Sequence, residues 1–160
     1  MSNQPNQGSH QGIPKIALTA RQLAIVAQLY TTRMDLLLKE HKTSLSQFGL
    51  LNHLANSPKE QSSISELTEA MEINQPGVTK IVKKLSEEKL VSIAHDANDS
   101  RKRLVSITPS GYDKIKSISM ALFPDVSQWF ADWEDDEIDA FTNHLSKLAK
   151  WFDSNRLTSD

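Results

Sequence analysis

Between Gln75 and Arg103 the chain carries seven basic side chains, Lys80, Lys83, Lys84, Lys89, Arg101, Lys102 and Arg103, against four acids at 87, 88, 96 and 99. Ammonium and guanidinium groups donate hydrogen bonds and accept none, so such a cluster is suited to phosphate oxygens. The remainder of the chain offsets this excess: the net charge is −2, and residues 132–139 hold six acids and no base. A basic middle followed by an acidic stretch predicts that one region meets a polyanion while another stays away from it.

Other chemistries find little support. With no cysteine there is no disulfide, thiolate nucleophile, Cys-ligated zinc or thiol switch. The histidines at 10, 41, 53, 95 and 144 have no HxxxH or HExxH spacing, so no metal site is expected. Asp135, Asp136, Glu137 and Asp139 are clustered acids, but they stand where a helix begins and complement its dipole. No nucleophile with an adjacent base and no Gly-rich phosphate loop is present, so neither catalysis nor a cofactor is expected. No window approaches a bilayer-spanning length of uncharged apolar residues, and the polar N-terminus has no apolar h-region. Residues 1–15 read as a disordered lead, followed by a single domain over 16–160 in a cytoplasmic protein.

The elements that position the basic residues follow from periodicity and punctuation. Apolar residues at 23, 26, 29, 30, 34 and 37 predict a long helix over 18–38. A second helix, with Phe48, Leu51, Leu54 and Ala55 on one face, stops at Asn56-Ser57-Pro58. Ser63-x-x-Glu66 is a capping box opening a short third helix. In NQPGVTKIVKKL, Asn74 is an N-cap and Pro76 sits in the first turn, where its missing N–H costs little. Val78, Ile81, Val82 and Leu85 then share a narrow arc, and Pro76, Thr79, Lys80, Lys83 and Lys84 lie opposite. Gly77 costs that helix about 1 kcal/mol relative to alanine, which predicts close approach of another surface to its leading end.

Beyond Leu85 the period changes. Residues 90–94 and 104–108 are short and rich in Val, Ile and Thr, and HDANDSRKR between them is full of turn formers. This is a β-hairpin with a charged tip. Thr108-Pro109 caps and starts a fifth helix, in which Pro124 predicts a kink or break near Phe123. In the last helix Ile138, Phe141, Leu145, Leu148 and Phe152 form a heptad-like seam. A lysine-faced helix followed by a basic hairpin is the layout of a winged helix-turn-helix. The helix would enter the major groove of DNA, and an arginine at the hairpin tip would suit a narrow minor groove.

The run SISELTEAMEINQPGVTKIVKKLSEEKLV, then HDANDSRKRLVSITPSG, resembles the MarR family of bacterial winged-helix regulators. The matching positions are Val78-Thr79-Lys80, Leu85, Leu90-Val91, Asp99-x-Arg101 and Ile107-Thr108-Pro109-Ser110-Gly111, and the likeness extends over roughly 16–155. Two positions depart from it: Lys89 replaces the glycine at the end of the recognition helix, where a left-handed turn carries a steric cost, and Ser92 replaces a basic residue of the first wing strand. The resemblance implies a mainly α fold with a small β-hairpin wing, a DNA-binding lobe over about 45–111, and dimerisation helices over about 16–41 and 112–155. Its DNA contacts would be Gln75, Pro76, Gly77, Thr79, Lys80, Lys83, Lys84, Asp99, Ser100, Arg101, Lys102 and Arg103, with Arg101 reaching the minor groove and Asp99 holding that arginine.

A homodimer is implied as well, with Leu18, Trp129, Trp133, Ile138, Phe141, Leu145, Leu148 and Phe152 at its interface. Independently, Trp129, Phe130, Trp133, Trp151 and Phe152 concentrate large aromatics outside the basic segment, more than a small monomer needs there. Two-fold symmetry would set the recognition helices ~34 Å apart on a pseudo-palindromic operator. Relatives often bind a small molecule near the dimer helices, and Tyr30, Arg33, Met34, His41, His53 and Tyr112 are the candidates by rough position. The expectation is therefore a ligand-responsive repressor binding specific double-stranded DNA. The alternative is a winged helix used for protein contacts without specific DNA binding.

Overall fold

The computed structural model describes residues 14–97, 99 and 101–156. Most of the expected lead thus lies outside the described residues, and Lys15 already begins the first helix. Two compact units divide the chain, Met1–Ile118 and Ser119–Asp160.

In the first unit, α1 (Lys15–Glu40) and α2 (Leu45–Asn56) are joined by a tight reversal. Lys42 takes φ 54°, and the Thr43 and Lys42 N–H groups donate back to Leu38 and Lys39 carbonyls, a Schellman ending. Ser44 and Gln47 then form a reciprocal capping box for α2, with bonds of 3.2 and 2.9 Å. The buried face of α2 is Gln47, Leu50, Leu51 and Leu54. The expected face contained Phe48 and Ala55 in place of Leu50; both are half-buried. Gln47 can be buried because its amide oxygen caps the Ser44 N–H.

The chain continues through β1 (Ser62–Ser63), α3 (Ile64–Met71), α4 (Gln75–Glu87) and the hairpin β2 (Val91–His95) and β3 (Arg103–Ile107). The sheet order is β1-β3-β2, all antiparallel, with Val91 opposite Ile107 and His95 opposite Arg103. One core serves these elements: Leu50, Leu51 and Leu54 from α2, Leu67 from α3, Val78, Val82 and Leu85 from α4, and Leu90, Val91 and Val105 from the hairpin. The apolar arc read from NQPGVTKIVKKL is therefore the buried side of α4, with Ile81 partly buried at its margin.

α5 (Pro109–Gln128) starts on Thr108, whose hydroxyl accepts the Gly111 N–H at 3.1 Å. The same hydroxyl lies 2.8 Å from the Lys89 carbonyl and 3.0 Å from that of Leu90, where its proton is shared. Gly111 is dictated by this joint, because a Cβ there would lie 2.3 Å from the Leu90 carbonyl oxygen. The break expected near Phe123 does not occur: α5 runs on to Gln128 with Pro124 inside it. The carbonyl that loses its helical partner belongs to Met120, a residue that is 68% exposed.

The second unit contains the rest of α5 and α6 (Asp135–Ser154), where Asp135, Asp136 and Glu137 form an acidic first turn. No residue of α6 is buried. Phe130, Trp133 and Phe141 form an aromatic cluster with centroid separations of 5.3 to 6.5 Å, and Trp151 meets Phe152 edge-on at 5.4 Å.

Candidate nucleic-acid interface

α3 and α4 are both set by their caps. Ser63 and Glu66 exchange bonds of 3.2 and 2.7 Å in the expected capping box. Lys59, 2.6 Å from the other Glu66 oxygen, together with the Ser63 N–H and hydroxyl, holds the Glu66 carboxyl down to about 2 from 4.5. Glu72 closes α3 in the left-handed region, so the chain turns sharply into α4. Asn74 Oδ1 then accepts the Gly77 N–H at 2.9 Å, and Pro76 occupies the first turn.

The structure gives Gly77 an internal reason as well. A Cβ there would meet Ile73 Cγ2 at 2.7 Å and Asn74 Oδ1 at 3.1 Å, so the glycine admits the partly buried Ile73 and the cap itself. The close approach read from the sequence is therefore made, at least in part, by the chain's own preceding turn. At its other end α4 closes in a second Schellman motif: Leu90 N–H donates to the Leu85 carbonyl and Lys89 N–H to that of Ser86, both at 2.9 Å. Lys89 takes φ 59°, the left-handed turn foreseen when lysine was read in a glycine's place.

The wing tip is bonded rather than loose. Asp96 N–H donates to the Lys102 carbonyl at 3.0 Å and Lys102 N–H to that of Asp99 at 2.9 Å. Asp96 Oδ1 accepts the Asp99 N–H, and Asp99 Oδ1 accepts the Arg101 N–H at 3.0 Å. Asp99 thus holds Arg101 by its main chain. Among the described residues the Arg101 guanidinium has no carboxylate partner, which leaves its donors available to a ligand. Ser100 lies outside the described residues.

Between α3, α4 and the wing lies an open cleft of about 1050 Å³. Gln75, Thr79 and Lys83 line it from α4, and Arg101, Lys102 and Arg103 line it from the wing. Half of the expected contact residues are therefore brought to one cleft. Pro76, Lys80 and Lys84 are exposed on α4 but do not line it, and neither do Gly77 and Asp99. Glu66, Glu87 and Asp96 are acids in the same lining that the sequence did not assign to the site. The Ser63-x-x-Glu66 spacing was the available signal for the first, and it was read as a cap alone. Lys83 lies 3.9 Å from Glu87, both well exposed, an arrangement worth a few tenths of a kcal/mol.

The other expected residues are placed as follows. On the second unit, Trp133, Phe141, Leu145 and Phe152 are exposed, at 37–56%, and Trp129, Ile138 and Leu148 are half-buried. Leu18 is exposed on α1 beside Ile25, Val26 and Leu29. The six effector candidates lie on α1, α2 and α5 and in the turn after α1. Met34 is core, Tyr30 and Tyr112 are exposed, and His41 offers its carbonyl to Lys114 Nζ at 3.0 Å. Of the six, Tyr112 lines a second, smaller cleft of about 370 Å³ with Lys59 and Ile107. Arg33 and His53 line neither cleft. No group of three potential metal ligands occurs among the described residues, and no described helix is long and apolar enough to cross a membrane.

This arrangement has relatives. The sequence model of the MarR family matches residues 41–102. A MarR family transcriptional regulator from Streptomyces coelicolor, solved in complex with DNA, is similar over 88% of this chain and 93% of its own, at 20% identity and a TM-score of 0.73. A cysteine-to-serine mutant of MarR from E. coli complexed with operator DNA covers 84% and 95% of the two chains, at 18% identity and a TM-score of 0.68. BpsR from Bordetella bronchiseptica, studied for regulation of its DNA binding by 6-hydroxynicotinic acid, covers 80% and 98%, at 23% identity and a TM-score of 0.63. The matched segment takes in α2, α3, α4 and most of the wing, so residues 41–102 are similar to the MarR family, and the chain has the fold of these solved structures.

Proposed function

We propose that the protein is a homodimeric transcriptional regulator that binds specific double-stranded DNA in the cytoplasm as a ligand-responsive repressor. The observation that carries this reading is the cleft in which Gln75, Thr79 and Lys83 of α4 face Arg101, Lys102 and Arg103 of the wing. An amide, a hydroxyl-bearing side chain and a lysine on one helix suit base edges and phosphates of a major groove. A guanidinium on a bonded hairpin tip suits the adjacent minor groove. The exposed apolar residues of α1 and, separately, the exposed Trp133, Phe141, Leu145 and Phe152 of the second unit support a second copy of the chain as partner, because a monomer would leave them in water. A two-fold partner implies a pseudo-palindromic operator. Ligand response rests on the likeness to BpsR, and the cleft beside Tyr112 is where a small molecule would be sought first.

One observation favours the alternative of a protein-binding winged helix: Glu66, Glu87 and Asp96 bring negative charge into the same cleft. Salt dependence separates the two. Mobility shift of promoter-region duplex against random duplex, titrated with salt, is expected to show selective binding that weakens steeply as salt rises. Arg101→Ala is expected to weaken it by roughly tenfold and to reduce the salt slope by about one. Equal binding of both duplexes at physiological salt would end the regulator reading.

A further inference from the structure

The exposed side of α4 contains no arginine, so the only side chains there of the types that most often read guanine are Lys80, Lys83 and Lys84. The first exposed side chain of α4 is Gln75, at the leading end from which recognition helices contact bases. Its carboxamide has no hydrogen-bond partner among the described residues. A glutamine amide placed there matches adenine, which offers one acceptor and one donor side by side on its major-groove edge.

One turn further on, the Thr79 hydroxyl is already committed: it donates to the Gln75 carbonyl at 2.8 Å. A threonine Cβ bears an oxygen and a methyl, and turning the oxygen back onto the helix leaves the methyl as the group presented outward. Thr79 therefore offers a ligand its methyl and an acceptor oxygen, although its residue type suggests a hydrogen-bond donor. The apolar feature of a major groove is the thymine methyl. Gln75 and Thr79 are four residues apart, ~6 Å along the helix axis, and so reach neighbouring base steps. Lys80 and Lys84 stand outside the cleft and Lys83 beside Glu87, positions suited to phosphate contacts.

From this we infer that α4 reads an adenine through Gln75 and a neighbouring thymine methyl through Thr79, so that each operator half-site carries an A·T-containing step at its centre of contact. The inference rests on the DNA-binding reading above and adds to it the bases that are recognised.

The test begins with selection of bound sequences from a random duplex pool by the full-length chain. In the enriched site each thymine is then replaced by uracil and each adenine by 7-deazaadenine, one position at a time. One uracil substitution per half-site is expected to weaken binding about fourfold, as loss of one buried methyl does. One 7-deazaadenine substitution is expected to cost at least about fivefold. Thr79→Val, which keeps the methyl, should retain the thymine-over-uracil preference, and Thr79→Ser, which keeps the hydroxyl, should lose it. Gln75→Ala should remove the sensitivity to 7-deazaadenine. An enriched site indifferent to every uracil, or a serine variant that still prefers thymine, overturns the inference while leaving sequence-specific binding intact. A pool that yields no enriched site overturns both.

Discussion

The segment from α2 through the wing and the helix α6 have similar shares of apolar residues but arrange them in opposite ways. In the first, ten apolar side chains from α2, α3, α4 and the hairpin close on one another, and what remains outside is mostly polar and charged, with the bases gathered between Gln75 and Arg103. In α6 the apolar seam Ile138, Phe141, Leu145, Leu148 and Phe152 includes no buried residue, and acids crowd the first turn. Periodicity looks alike in both, because a 3.6-residue repeat records a wet side and a dry side and does not record what makes the dry side dry. The difference teaches that one segment buries its apolar residues within itself, whereas the other leaves its apolar seam in water; the proposed DNA contact and second copy would account for the two outer surfaces.

Truncation at the centre of the first segment should break the comparison most severely. Leu67→Ala removes a wholly buried side chain and is expected to cost about 3 kcal/mol, read as a lower urea midpoint at unchanged slope. On α6 the corresponding insult should act on assembly instead. Phe141→Asp is expected to convert a dimer to a folded monomer in sedimentation, with near-native circular dichroism and weaker operator binding. Should that variant unfold, the seam belongs to an internal core and the contrast collapses.

Two smaller changes refine the basic segment. Lys89→Gly relieves the left-handed turn behind α4 and is expected to raise stability by about 1 kcal/mol in denaturant titration, at the loss of one positive charge. Glu66→Gln is expected to cost less than about 1 kcal/mol, since both members of the Lys59 pair are about half exposed or more and solvent screens them. The carboxyl is depressed from 4.5 to about 2 on folding, so its contribution is present above pH 4.5 and is lost as pH falls toward 2. The glutamine variant should flatten the stability curve across that interval.

How much of this could be read beforehand depends on how locally each feature is encoded. The α3 and α4 boundaries were legible because Ser63, Glu66, Asn74 and Pro76 act within one turn of themselves. The left-handed lysine was legible because a departure from the MarR pattern pointed to the turn. β1 was not, since a two-residue strand has no period and exists through its pairing with Val105 and Leu104 of β3. Of the kink or break read at Pro124, the break does not occur, because a helix can continue where its freed carbonyl finds another partner. In the cleft, the charges of Lys83 and Arg101 were legible, but the acids Glu66 and Asp96 and the inward turn of the Thr79 hydroxyl were not. The last depends on a rotamer, which residue type leaves open.

The Thr108 hydroxyl is a three-way joint. It touches the final residue of the turn behind α4, the first residue before β2 and the N-terminal turn of α5 at once, all within 3.1 Å. A shift of α5's leading turn by even an ångström would break these bonds unless Lys89 and Leu90 moved with it. Gly111, packed on the Leu90 carbonyl, leaves no slack in the other direction. These bonds tie the first turn of α5 to the turn behind α4 and to the start of β2, so the three are expected to move together.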